Sequence, residues 1–483
     1  MVRSLIPVLL LACLAAAQTP APNDVTPFVS VHAPSVVLNH VRVIDGAGAV
    51  AKEDQTIVIV DGKIQAVGAA GTVTAPANTQ QLDRTGYTVI PGLVGMHNHL
   101  YYTDSFSLQG RPRIKLDEPG LVIDEIPYTA PRLYLAGGVT TMRTTGSIEP
   151  YTDIKVKERI DAGQMPGPKI DLTAPYLEGK PTFFAPMHEL TGSDDAKRMV
   201  DYWAEEGMTS YKAYMDISRD ELSAAIQQAH ARHLKLTGHL CSVTWHEAIA
   251  LGIDDFEHGP VFTSTDFVAD KKPDVCPPGG GTKSWLSLDT KGAQVQALIQ
   301  ELISHHVAVT STLPVFDASL PGRPKLEDRV LDSMSPEASR SYLTARARIP
   351  MDTPMTGLFK KELEFEYAFA KAGGLLLAGP DPTGNGGVLP GFGDQREVEL
   401  LVEAGFTPVE AIQICTLNGA TYLGQQEHIG SIAAGKQADL VLIKGDPSKK
   451  IEEIENVETV FKDGVGYDSQ KLIESVRGQV GIR

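Results

Sequence analysis

Met96-His97-Asn98-His99 places two imidazoles one residue apart. Side chains two apart along a strand share a face, so His97 and His99 can reach one cation, and imidazole suits zinc and its neighbours. Such a pair also arises by chance; this one directly follows the apolar run Val89-Ile90-Pro91-Gly92-Leu93-Val94. Lys212 closes a second run, Ser210-Tyr211-Lys212-Ala213-Tyr214. A lysine there is either ion-paired and solvated or aimed into a barrel mouth. Buried, it sheds its proton readily, and the neutral amine reacts with CO2 to give a carbamate, a carboxylate on a long arm that can bridge two metals. His239 ends Leu236-Thr237-Gly238-His239 and His258 follows Phe256-Glu257. From Lys212 to His239, and from His239 to His258, is about one strand–helix unit each. Asp381 closes Leu377-Ala378-Gly379-Pro380-Asp381, where a carboxylate can ligate a metal and take a proton from bound water, or start an Asx-turn.

Short β runs alternate with helical stretches between these positions, which argues for parallel βα units. Eight candidate strands centre on Leu93–His99, Val139–Thr145, Lys169–Pro175, Thr209–Met215, Lys235–Leu240, Asp254–His258, Ala308–Leu313 and Leu375–Asp381. That number in about 300 residues suits a (β/α)8 TIM-type barrel. Helix starts are marked by capping boxes at Ser218-Arg219-Asp220-Glu221 and Thr244-Trp245-His246-Glu247, and by Thr407-Pro408-Val409-Glu410; Gly252 is a C-cap. These boxes put Lys212 and His239 just before strand-to-helix loops. The stretch from Phe262 to Leu286 reads as a loop over one barrel face. Ahead of the barrel, Val36–Leu38, Val41–Ile44 and Thr56–Val60 are β-branched runs, with a hairpin signal at Asp61-Gly62. Similar runs return at Ala438–Ile443 and Val457–Lys462, so both chain ends are expected to build one small β-sandwich domain. The expected boundaries are a signal peptide at 1–17, a linker at 18–35, the β domain at 36–90 and 426–470, the barrel at 91–425, and a tail at 471–483.

The bulk properties narrow the partners. A formal charge of −17 over 483 residues disfavours nucleic acid, and 42% hydrophobic residues supply a core too large for a disordered chain. Arg3, the apolar stretch Leu5–Ala17 and Ala15-Ala16-Ala17 before Gln18 fit an export signal; no other run is long enough to span a membrane. The expected location is the periplasm or the medium, with lipoprotein anchoring at Cys13 as the alternative. Of the remaining cysteines, Cys241 and Cys276 could form a bridge, though unpaired buried thiols are the expectation for Cys241, Cys276 and Cys415.

Taken in order, the set is His-x-His on strand 1, Lys on 4, His on 5, His on 6 and Asp on 8. It resembles the amidohydrolase superfamily in its carbamylated-lysine, two-metal form, along essentially the whole chain after the signal. Thr416-Leu417-Asn418-Gly419-Ala420, Ile429-Gly430-Ser431-Ile432 and Gly435-Lys436-Gln437-Ala438-Asp439-Leu440 resemble imidazolonepropionase-like and prolidase-like members. The resemblance implies two divalent ions, zinc the expected metal. His97, His99 and Asp381 would hold one, His239 and His258 the other, with carbamylated Lys212 between them. It implies hydrolysis of an amide or peptide-like C–N bond by attack of a metal-bridging hydroxide, with Asp381 as the catalytic proton carrier. A dipeptide or N-acyl amino acid is the expected small-molecule substrate. Lactone or ester hydrolysis, mononuclear deamination and non-catalytic binding are the alternatives. Members of the superfamily commonly have Asp where Gly95 stands and Thr where Pro380 stands. Phe392-Gly393-Asp394-Gln395-Arg396 replaces a His-Gly-x-Asn segment of related dipeptidases, so the substrate is not carried over. Arg143 at the end of strand 2 is either a partner for a substrate carboxylate or half of a structural ion pair. Tyr101, Tyr102, His188 and Tyr214 are pocket candidates that packing would explain equally well. A homo-oligomer is compatible with the family; no interface is legible.

Overall fold

The computed structural model describes residues 25–100, 126–182, 187–382 and 387–481. The stretch read as an export signal, Cys13, Tyr101 and Tyr102 lie outside them. Eight short parallel strands stand where the sequence predicts them: β1 Leu93–Asn98, β2 Val139–Thr144, β3 Lys169–Asp171, β4 Ser210–Ala213, β5 Lys235–Gly238, β6 Asp255–Glu257, β7 Ala308–Ser311 and β8 Leu376–Ala378. Strands β1 to β3 form one sheet and β4 to β8 another. Parallel bridges Thr173↔Ser210 and Leu177↔Ala213 carry β3 on to β4. The Asp381 N–H donates to the His97 carbonyl at 3.0 Å, which sets the exit of β8 beside β1. Every residue of β1, β2 and β4 is buried, as expected of parallel strands covered on both faces. The arrangement is a mixed α/β fold whose parallel strands fit a TIM-type barrel.

Local chemistry fixes where the strands stop. Ser218 and Glu221 close a capping box on α1 (Arg219–Ala231), and Thr244 and Glu247 one on α2 (Trp245–Leu251). Gly252 ends α2 at φ +93°. The functional helices that follow are α3 (Pro260–Thr263), α4 (Met355–Lys371) and α5 (Phe392–Ala404). Among the described residues no helix is long and apolar enough to cross a membrane.

Strands from both chain ends join in a single nine-stranded hydrogen-bonded sheet. Its order is Val29–Val31, Val465–Asp468, Val457–Lys462, Leu440–Lys444, Tyr87–Pro91, Ser35–Val43, Lys52–Val60 and Lys63–Ala69, with Gln80–Asp83 also paired to Ser35–Val43. Asp61 and Gly62 both have positive φ, as the two-residue hairpin turn requires. The sheet extends beyond the expected boundaries. Val29–Val31 pairs within the stretch read as linker, and helix Ser469–Glu474, with Leu472 buried, leads into the stretch read as tail. Pro- and Thr-rich composition hid the first strand, because its partner lies more than 430 residues away.

Cys241 and Cys276 form a disulfide, which overturns the expectation of unpaired thiols; Cys415 is free and buried. The loop after α3 folds back over the exit of β5. Asp266 accepts the Trp245 and His246 N–H groups that begin α2, Asp274 pairs with Arg219, and Lys271 donates to the Ser242 carbonyl. These contacts bring Cys276 to Cys241 across 35 residues. Closing a loop of that length is worth about 4 kcal/mol of chain entropy. Cys276→Ser is expected to lower unfolding stability by that order in a denaturant melt under non-reducing conditions. An unchanged midpoint would show that the polar anchors alone hold the loop.

Candidate metal centre

The strand ends bring all six expected donors to one end of the parallel sheets. His99 Nε2 lies 3.2 Å from Asp381 Oδ1, and His97 Nε2 lies 3.5 Å from the same oxygen. Lys212 Nζ is 3.3 Å from His97 Nε2. The His258 ring sits 4.4 Å from that of His97 and 4.5 Å from that of His239, centroid to centroid. One ligand atom each from His97, His258 and Asp381 fall within 4.8 Å of one another. His258 and Asp381 both adopt left-handed backbone, at φ +72° and +52°. Non-glycine residues hold that conformation only where the surroundings over-determine it, and such residues gather at functional sites.

Electrostatics prepare the same groups for a cation. Burial, reinforced by Lys212, drives His97 and His239 well below the usual histidine range, His239 to about 3. Burial, with the neighbouring imidazoles, does the same to His258. All three rings therefore keep a lone pair free for a metal. Burial brings Lys212 down to about 8 against the pull of Glu257 and Asp381, close enough to neutrality for the free amine to be populated. Burial would raise Asp381, yet His97, His99 and Lys212 outweigh it and hold the carboxyl well below its ordinary value. Neutral imidazoles, an ionised carboxylate and a reactive lysine form a donor set that fits divalent cations.

A residue that the motif did not single out organises this set. Glu257, at the end of β6, accepts the Nδ1–H of His97 at 2.7 Å, and both side chains are fully buried. That contact leaves His97 Nε2 for the centre. Glu257 is held in turn by Thr237 Oγ1 at 2.6 Å and by Arg143 at 2.8 Å. Arg143 also donates to the Met96 carbonyl and to Asp255. The guanidinium is thus the structural ion pair and lies beneath the donors. Glu257→Ala is expected to weaken metal binding about 10- to 100-fold, the usual cost of losing the partner of a metal-bound histidine. Equilibrium dialysis against zinc measures it, and undiminished affinity would remove Glu257 from this role.

The remaining candidates separate. The Tyr214 ring packs 4.9 Å from His239 and 4.9 Å from Tyr176, and Lys212 Nζ stands 5.4 Å from the Tyr176 ring and 5.8 Å from that of Tyr214. His188 faces Asp195 at 2.8 Å and is partly exposed. Tyr102 lies outside the described residues. Gly95 has a positional reason. A Cβ there would collide with the Asn98 amide and press on Asp394, so the carboxylate next to β1 comes from α5 instead.

An amidohydrolase family model matches residues 392–466, the segment from α5 into the β domain. Imidazolonepropionase of Herpetosiphon aurantiacus is 22% identical over 431 residues, covering 81% of this chain and 84% of that enzyme. Adenine deaminase 1 of Carboxydothermus hydrogenoformans is 44% identical over only 57 residues, 12% of this chain and 9% of that enzyme. The crystal structure of a Xaa-Pro dipeptidase with bound methionine in its active site superposes with a TM-score of 0.64 at 19% identity, covering 90% of this chain and all of that one. The chain is thus similar to amidohydrolases, in sequence over its C-terminal part and in fold along most of its length. The ordered donors and the shared fold agree with that similarity, while the low identities leave the substrate to chemistry.

Proposed function

We propose that this chain is an amidohydrolase, a metal-dependent hydrolase of carbon–nitrogen bonds that cleaves the amide of a dipeptide or an N-acyl amino acid. The observation that carries the reading is the convergence of His97, His99, Lys212, His239, His258 and Asp381, three of them buried and three half-buried. His97, His99 and Asp381 would hold one divalent ion, and His239 and His258 a second. Lys212, as its carbamate, would lie between them, with zinc as the metal. When bound, such ions lower the pKa of water and polarise a carbonyl. The chain supplies the rest. Asp381 is ionised beside His99, so it accepts the proton lost by the attacking water and returns it to the leaving nitrogen. Glu257 keeps His97 in the tautomer that offers Nε2.

In this reading the strands close into a (β/α)8 barrel through β3–β4 and β8–β1, with the long sheet folded on itself as the sandwich. The Cys241–Cys276 bridge supports an exported protein, since disulfides persist in oxidising compartments. Because Arg143 is committed to Glu257 and Asp255, a substrate carboxylate would be recognised by other groups.

The test is metal content of the purified chain, expressed with bicarbonate, followed by a screen of dipeptides and N-acyl amino acids. About two metals per chain with amide hydrolysis is the expected result. Hydrolysis of lactones alone would move the reading to an ester hydrolase. One metal, indifferent to Lys212, would favour a deaminase. No metal under any condition would favour a binding protein.

A further inference from the structure

His258 sits at φ +72° and Gly259 follows at φ +71°, so the chain turns sharply just where it delivers a donor. A histidine in this conformation is strained by roughly 1–3 kcal/mol and needs its surroundings to hold it. From one side, the His258 N–H donates to the Thr310 carbonyl at 3.0 Å, and its Nδ1 meets Thr312 Oγ1 at 2.9 Å. From the other side comes Glu362 of α4. Its Oε2 accepts the Val261 N–H at 2.9 Å, and its Oε1 fills the space a side chain at 259 would occupy. Glu362 is fully buried, and among the described residues its Oε1 has no hydrogen-bond partner.

The acid does not stand alone. One helical turn on, Glu366 and Glu397 of α5 share the Ser311 hydroxyl, at 2.8 and 2.6 Å. A hydroxyl has one proton to give, so one of these two carboxyls must supply the other. This row of buried acids is costly, and a leucine at any of these positions would avoid the cost. What Glu362 offers in return is the geometry of the His258–Gly259 turn.

We infer that Glu362 is a positioning residue, a carboxyl clasp that locks the His258–Gly259 turn and so preforms the His239–His258 half of the centre. The inference rests on the two-metal reading. Cobalt(II) is the probe, followed by its visible absorption and by equilibrium dialysis of the full chain. Wild type should take up two cobalt ions. Glu362→Ala should weaken the second about 10- to 100-fold and leave the first. Glu362→Met, which keeps the volume and loses the acceptor, should do the same and guards against an alanine variant that does not fold. Glu362→Gln should keep both ions and the wild-type spectrum, because it keeps an oxygen for Val261. Glu366→Ala removes a neighbouring buried acid and should lower the melting temperature without changing cobalt binding. Unchanged cobalt binding in Glu362→Ala and Glu362→Met would overturn the inference. So would a Gln variant as impaired as Ala, or a Glu366→Ala variant that loses cobalt equally. A wild-type chain that binds fewer than two cobalt ions would overturn the two-metal reading and this inference with it.

Discussion

Lys212→Ala, purified after expression with bicarbonate, should lose tight binding of the second metal and with it most of the activity. Lys212 is fully buried with its Nζ 3.3 Å from His97 Nε2, and in the proposed reading its carbamate would be the group between the two metals. Hydrolysis should fall by about three orders of magnitude or more, the scale of losing an activated water. Elemental analysis and kcat/KM on the best amide substrate check both halves. Circular dichroism separates the effect from unfolding, since alanine leaves a cavity. A variant with full activity and undiminished metal would sink the bridged-site reading.

Asp381→Asn should behave differently. Asparagine retains an oxygen for a cation and the same side-chain volume, so metal content should fall less than in Lys212→Ala. It cannot accept a proton, however, and Asp381 is the ionised group held beside His99 and His97. The turnover number should drop about 10²- to 10⁴-fold with little change in KM, the signature of a lost proton carrier. Steady-state kinetics on metal-replete protein measure this. A large rise in KM with kcat intact would recast Asp381 as a substrate-binding group.

The donors were legible because each obeys a local rule. His97 and His99 follow strand alternation; Lys212 and His239 precede capping boxes at Ser218 and Thr244 that the structure reproduces. The eight strands were legible for the same reason. What was not legible depends on partners far apart in the chain. Glu257 gains its meaning only when β6 lies across from β1, and Arg143 only when Asp255 and Glu257 arrive beside it. Val29–Val31 becomes a strand only against residues 465–468, and Cys276 reaches Cys241 only after Asp266 and Asp274 dock their loop. Asp394 reaches the space beside Gly95 across almost 300 residues of sequence, a proximity no local pattern announces.

The interleaved sheet dictates a timetable for biosynthesis. Val29–Val31 has no partner until Val465–Asp468 exists, and Tyr87–Pro91 waits for Leu440–Lys444. At about 5–20 residues per second, the first strand remains an open edge for roughly 20–90 s after it emerges. Synthesis of residues 440–468 therefore acts as the trigger for closing this sheet. A nascent chain released before residue 440 would lack the strands that join its two N-terminal segments, and would expose their apolar edges to aggregation or proteolysis.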